Sequence, residues 1–191
     1  MTLRDVTASA YREAVSALAV SAVGGLVAGA VLGGMRAELR AVPGLLVLVP
    51  ALLATRGNVY GSLGARLATA LHQGLIEPRF STDDERVLRA IAAALSNGVL
   101  TSLYAATVAF VALTVLAQPV ASLPTLWAIA AVAGVLSGAA LTVAVVSVVF
   151  LGYRRGRNPD TLVGPIVTTT GDLFGLAFLV LAVRIVVGGP L

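Results

Sequence analysis

A chain of 191 residues that is 58% hydrophobic and only 12% charged, with a mean hydropathy of +0.97, has a bilayer rather than water as its solvent, because soluble domains carry about 25% charged residues. The net charge of +4 does not point to nucleic acid: all 13 basic residues are Arg, most of them at the ends of apolar segments, where topology and anionic lipid account for them. The absence of cysteine excludes disulfides, thiolate metal sites and a cysteine nucleophile.

Residues 1–13 read as a short amphipathic lead on the cytoplasmic side, and 14–191 as a single transmembrane domain with no room for a sizeable soluble one. Residues 14–35 carry no charge over 22 positions, enough to cross a hydrocarbon core about 30 Å thick. A cleaved leader is the alternative, but its apolar region runs about 7–15 residues, so a retained helix is expected. Its glycines (Gly24, Gly25, Gly29, Gly33, Gly34) offer smooth faces for close helix packing. Arg36, Glu38 and Arg40 mark the first connection.

The second span, 42–71, contains Pro43 and Pro50, a polar interruption at Arg56-Gly57-Asn58, and small residues at Gly57, Gly61 and Gly64. Two readings stand: a small-residue packing seam, or an irregular helix whose freed carbonyls and Asn58 amide face water. The polar stretch 72–89 follows, in which Ser81 or Thr82 is the expected N-cap of the next helix. The lone His72 has no partner of the kind a zinc centre needs.

From Ala90 onward 64 residues pass without a charge. Gln118-Pro119 and Ser122-Leu123-Pro124 divide them into spans at 87–117 and 125–150. Asn97, Thr101, Ser137, Thr142 and Ser147 are expected to bond between helices. The last span covers 161–187, with Arg184 near enough its end to snorkel. Arg79, Arg86 and Arg89 precede the third span, and Arg154, Arg155 and Arg157 precede the fifth, whereas the link between spans three and four is uncharged. The positive-inside rule therefore predicts an all-α membrane protein of five helices, N-terminus cytoplasmic and C-terminus outside.

The final span holds Asp172, the only acid inside any long apolar segment. A carboxylate at that depth costs about 2.5–3.5 kcal/mol, so it needs a wet cavity or a charged partner. Asp160 sits at the cytoplasmic mouth, and Asp172 lies about 18 Å further along at 1.5 Å per residue. Thr161, Gly164, Pro165, Thr168 and Asp172 recur at i, i+3/i+4 spacing and can share one face. Hydroxyl, carbonyl and carboxylate oxygens suit hard divalent cations, and Mg²⁺ keeps most of its waters. The stripe thus reads as the lining of a cation path. The other reading is a scaffold or assembly subunit in which Asp172 is buried in a pair with Arg56, the one mid-segment base available. No Ser/His or paired-Asp arrangement suggests an enzyme.

Two motifs carry a family resemblance. The run PALLATRGN at 50–58, continued by GSLGARLAT at 61–69, and the run NPD at 158–160, continued by GPIVTT at 164–169 and Gly171-Asp172, occur in order across most of the chain. Together they resemble the membrane domain of MgtE-type magnesium transporters and their relatives in solute carrier family forty-one. The resemblance implies a homodimer with one pore on its two-fold axis, lined by irregular second and fifth helices. It implies Mg²⁺ as the transported ion, with Mn²⁺ or another divalent ion in its place, and no nucleic-acid partner. Asp172 would then be the central pore carboxylate, with Thr168 offering oxygen beside it. Asp160 and Asn58 complete the implied metal-facing set, while Gly57, Thr161, Gly164, Pro165 and Thr169 fall at pore or gate positions. Asn158 stands where the family commonly has an acid, and the regulatory modules of bacterial members have no counterpart, so gating through them is not carried over. The implied setting is the plasma membrane of a prokaryote, crossed several times.

Overall fold

Long uncharged runs bracketed by arginines, prolines and caps fold into helices, because in hydrocarbon each backbone N–H and C=O must be satisfied within its own segment. The computed structural model describes residues 3–80, 84–156 and 159–188, and it contains no strand among them. The elements are α1 (Leu3–Gly34), α2 (Arg36–Ala41), α3 (Leu45–His72), α4 (Glu85–Val115), α5 (Leu123–Arg154) and α6 (Pro159–Val187). Four segments are long and apolar enough to cross a membrane: α3, α4, α5 and, within α6, Val163–Val187. In α1 the apolar helix defined by the described side chains is Ser21–Gly34, shorter than a span.

Helix α1 begins at Leu3, so the stretch expected as a separate lead belongs to it. The six-residue α2 was not foreseen in the first connection. The start of α4 corrects another expectation. Asp84 is the cap, its Oδ1 accepting from the N–H of Arg86 at 2.9 Å and of Val87 at 3.4 Å, while Ser81 and Thr82 lie outside the described residues. Helix α5 starts two residues before the expected 125, with Ser122 as its cap, Oγ accepting from Thr125 N, and Pro124 in its first turn. Gly44 precedes α3 with φ +89°, a left-handed conformation natural to glycine, and a side chain there would meet Leu113.

Helices α3 and α6, expected to be irregular, run unbroken through Pro50 and Pro165. Each proline removes one N–H, but each lies within the first two turns, where the helix on its C-terminal side still nucleates and holds the turn. Two of the hydroxyls expected to bond between helices turn back on their own, and Thr142 Oγ1 has no partner among the described residues. Thr101 Oγ1 donates to Asn97 O at 2.7 Å and Ser137 Oγ donates to Ala133 O, since the carbonyl one turn back is within reach and needs no second helix. Other side chains do cross, Trp127 Nε1 of α5 donating to Thr107 Oγ1 of α4 at 2.9 Å and Tyr153 Oη of α5 to Leu71 O of α3 at 3.3 Å.

The elements pack with α3, α5 and α6 in the middle, α4 against α3 and α5, and α1 against α6. Two apolar cores form along the bundle. One joins Leu45, Leu48 and Leu52 of α3 to Ala105 and Ala109 of α4, Leu126 and Ile129 of α5, and Leu176 and Leu179 of α6. The other joins Leu63 and Leu67 of α3 to Ala94, Leu141, Val145, Val163 and Val167. Successive helices α3 to α6 enter these cores in alternating order, so they run up and down. Between the cores lies a level of small or polar residues: Arg56 and Gly57 on α3, Gly98 and Ser102 on α4, Ser137 and Gly138 on α5, and Thr168 to Gly175 on α6. Tyr60 borders that level, its hydroxyl held where Cβ atoms on Gly98 or Gly138 would be.

Candidate cation site between α3 and α6

The break in the apolar core is where the acid sits. Asp172 is half-buried on α6, and it lines a cleft of about 180 Å³ with Thr168, Gly171 and Val167 of the same helix and Leu53, Ala54 and Gly57 of α3. Spacing explains the two walls. Thr168 and Asp172 are four apart on α6, and Leu53 and Gly57 are four apart on α3, so each pair projects from one helix face. Gly57 leaves the cleft open by lacking a side chain, with no atom within 4 Å of where its Cβ would be. Ala54 and Thr168 are exposed, so the cleft opens on the surface of the single chain.

The described side chains place one carboxylate and one hydroxyl in the cleft, too few oxygens for a closed cage around a metal. The Asp172 carboxylate supplies charge, and the Thr168 hydroxyl, which donates to Gly164 O at 2.9 Å, keeps its lone pairs free to accept from water. Among the described residues no three His, Cys, Asp or Glu side chains converge. A metal held by such a site would keep most of its water shell, the coordination Mg²⁺ prefers.

The remaining expected residues are distributed differently. Asn58 lies on another face of α3, in a groove of about 260 Å³ with Ser62, Arg66 and Asn97, so it does not meet Asp172. Thr169 faces α1, where its side chain fills the space a Cβ on Gly24 would need. Gly164 is exposed and Pro165 half-buried, both about two turns before Asp172 on α6. The side chains of Asp160 and Thr161 lie outside the described residues, as does Asn158.

Arg56 is 2% exposed, and none of its guanidinium nitrogens has a hydrogen-bond partner among the described residues. No ion pair joins it to Asp172 among the described residues. It lies instead against Gly175, with Nη1 2.8 Å from where a Cβ there would be. The polar pair on which the scaffold reading depends is therefore not formed.

One described ion pair couples separate elements, and sequence reading missed it. Arg184 Nε of α6 donates to Glu38 Oε1 of α2 at 2.9 Å, with the Glu38 side chain 7% exposed. Arg184 is thus anchored to protein rather than snorkelling. Glu38 is held below its ordinary value of 4.5, first by its own backbone N–H, against the opposing effect of burial, and further by Arg184. Two charges at the ends of different apolar segments were the available signal. Leu53, Ala54 and Gly171 were also missed as cleft residues; their spacing from Gly57 and Asp172 could have found them.

A sequence model described as MgtE, divalent cation transporter, matches residues 49–182 of the chain, a stretch that includes every described wall of the cleft. Solute carrier family 41 member 3 of Rattus norvegicus is 28% identical over 167 residues, which cover 85% of this chain and 36% of that protein. The chain thus spans about a third of the length of the curated relative it matches. No solved structure matches it.

Proposed function

The chain belongs to the MgtE divalent cation transporter family, a family of transporters rather than enzymes, and from that premise we propose that it moves a largely hydrated divalent cation, Mg²⁺ foremost, along a path lined by α3 and α6. The observation that carries this reading is the cleft in which Asp172 and Thr168 face Gly57 across the gap between the two apolar cores. An intramembrane carboxylate without a basic partner needs water or a cation, and the open side of the cleft gives it access to one.

A single chain leaves that cleft open on its surface, and a second copy about a two-fold axis closes it. Two Asp172 carboxylates then share one passage, and their combined charge of −2 matches a divalent ion. A monovalent ion at equal distance gains about half the Coulomb attraction. Retained waters bridge the ion to Thr168 oxygens and helix carbonyls. In this arrangement all five long helices span the plasma membrane of a prokaryote, the N-terminus lies inside, and Asp160 draws cations to the cytoplasmic mouth. Thr161, Gly164 and Pro165 shape the gate around the passage, and Mn²⁺ or another divalent ion can follow the same route.

The test is uptake into proteoliposomes. Asp172→Asn keeps the shape and removes the charge, so Mg²⁺ uptake is expected to vanish while the protein elutes as a folded dimer. Asp160→Asn is expected to reduce uptake only in part. Undiminished uptake by the Asp172→Asn protein refutes the proposal.

A further inference from the structure

The mid-level of the bundle holds two charged side chains, and only one of them is accounted for by the cation path. Arg56 is buried and its guanidinium is unpartnered, although an uncompensated buried charge is strongly destabilising and an apolar residue of similar volume would fit such a site better. A guanidinium keeps its proton in proteins, so loss of the charge does not relieve the burden. Nothing in the packing explains it: Leu52 and Tyr60, on the same buried face of α3, belong to the two apolar cores, and Arg56 lies between them.

Its position relative to the acid is specific. The Arg56 guanidinium rests against Gly175, which is three residues from Asp172 on α6, and side chains so spaced are about 5–6 Å apart. Leu53 touches the same Gly175 position and also lines the Asp172 cleft, so the guanidinium and the cleft share a wall. Any residue larger than glycine at 175 would collide with Arg56 Nη1. The fold thus sets a permanent positive charge against Gly175, three residues along α6 from the acid, with no ion pair between the two among the described residues.

We propose that Arg56 is an affinity-setting residue of the cation path: its fixed charge opposes occupancy of the Asp172 site and so hastens release of the ion. This rests on the reading of Asp172 as a cation site. Conduction requires a site strong enough to be entered and weak enough to be left, and two carboxylates around one divalent ion err on the strong side. A fixed cation corrects this in proportion to the charge of the ion, so it acts on a divalent ion twice as strongly, in free energy, as on a monovalent one.

The experiment measures Mn²⁺ binding, and its competition by Na⁺, on the purified full chain in detergent, comparing the parent with Arg56→Gln, Arg56→Lys and Asp172→Asn. Arg56→Gln is expected to tighten Mn²⁺ binding about tenfold, equivalent to about 1.4 kcal/mol, and Na⁺ binding only about threefold. Arg56→Lys keeps the charge and is expected to match the parent. Because Arg56→Gln removes an unpartnered charge, its melting midpoint should equal or exceed that of the parent. Unchanged Mn²⁺ affinity in Arg56→Gln, with binding still lost in Asp172→Asn, overturns the role of Arg56 and leaves the cation path standing. Equal factors for Mn²⁺ and Na⁺, a Lys variant that behaves like Gln, or a Gln variant that unfolds, would each show a structural role and overturn it too. Parent-like Mn²⁺ binding by Asp172→Asn removes both readings together.

Discussion

Gly138→Ala is the most exacting perturbation of the bundle. Tyr60 of α3 is 1% exposed, and its hydroxyl reaches the level of Gly98 on α4 and Gly138 on α5 without a hydrogen-bond partner. A methyl on Gly138 would overlap Tyr60 Oη outright, whereas its next neighbours, Leu95 Cδ2 at 3.3 Å and Tyr60 Cζ at 3.4 Å, are merely close. Overpacking of this kind costs about 1–3 kcal/mol. For a chain of this size that corresponds to a fall of about 2–12 °C in melting midpoint. Tyr60→Phe removes the clashing atom and a buried unsatisfied hydroxyl at once, so alone it should leave the midpoint unchanged or slightly raised. The double variant should regain most of what Gly138→Ala loses, because the remaining contacts need only a few tenths of an ångström. Melting midpoints of all four proteins in one detergent, at one scan rate, form the cycle. Additive losses, with no rescue by Tyr60→Phe, would refute the clasp. The clasp also bears on transport: Tyr60 fixes α3 one turn beyond Gly57, which forms a wall of the cleft.

Further tests address the two ends of α6 and the seam with α1. Glu38 has a depressed pKa, so its pair with Arg184 contributes stability above the ordinary value of 4.5, and that contribution is lost as pH falls through the lower folded value. The parent should therefore lose stability as pH is lowered from neutral past 4.5, whereas Glu38→Gln should start less stable by about 1–3 kcal/mol and change less. Parallel curves for the two proteins would contradict this. At the seam, Gly24→Ala should destabilise because its methyl meets Thr169, while Gly25→Ala, with nothing within 4 Å, should be silent; equal midpoints would show that α1 does not pack on α6 in this register. Filling the cleft with Gly57→Leu should block Mg²⁺ uptake without unfolding the protein, because no atom stands within 4 Å of a Cβ there; normal uptake would show that ions pass elsewhere.

Much of the architecture was legible because the chain brackets its apolar runs with chemistry that means one thing. Ser122-Leu123-Pro124 opens α5 and the arginines after Phe150 close it, and the same logic located α4 and α6 to within a few residues. What failed was local and competitive. Asp84 captured the cap of α4 because one carboxylate accepts two N–H groups where a hydroxyl offers less, and α2 formed in six residues too short to show a period. The pairing of Thr168 with Asp172 could be read from their spacing, but the adjacent Thr169 turns about 100° away and meets α1. Asn58 follows Gly57 directly and so faces another groove for the same reason. The fate of Arg56 could not be read at all. Sequence alone permits a pair with Asp172, and only the packing of α3 on α6 shows the guanidinium set at Gly175, three residues along α6 from the acid, and unpaired among the described residues.

The most direct measurement is the position of bound Mn²⁺ in an experimental structure of the assembled protein, located by its anomalous signal. The account predicts one peak on a two-fold axis between the Asp172 carboxylates of two copies, separated from them by water and absent in Asp172→Asn. A peak confined to the exposed acids Glu77 and Glu85, with Asp172 turned to lipid or packed between helices, would contradict it.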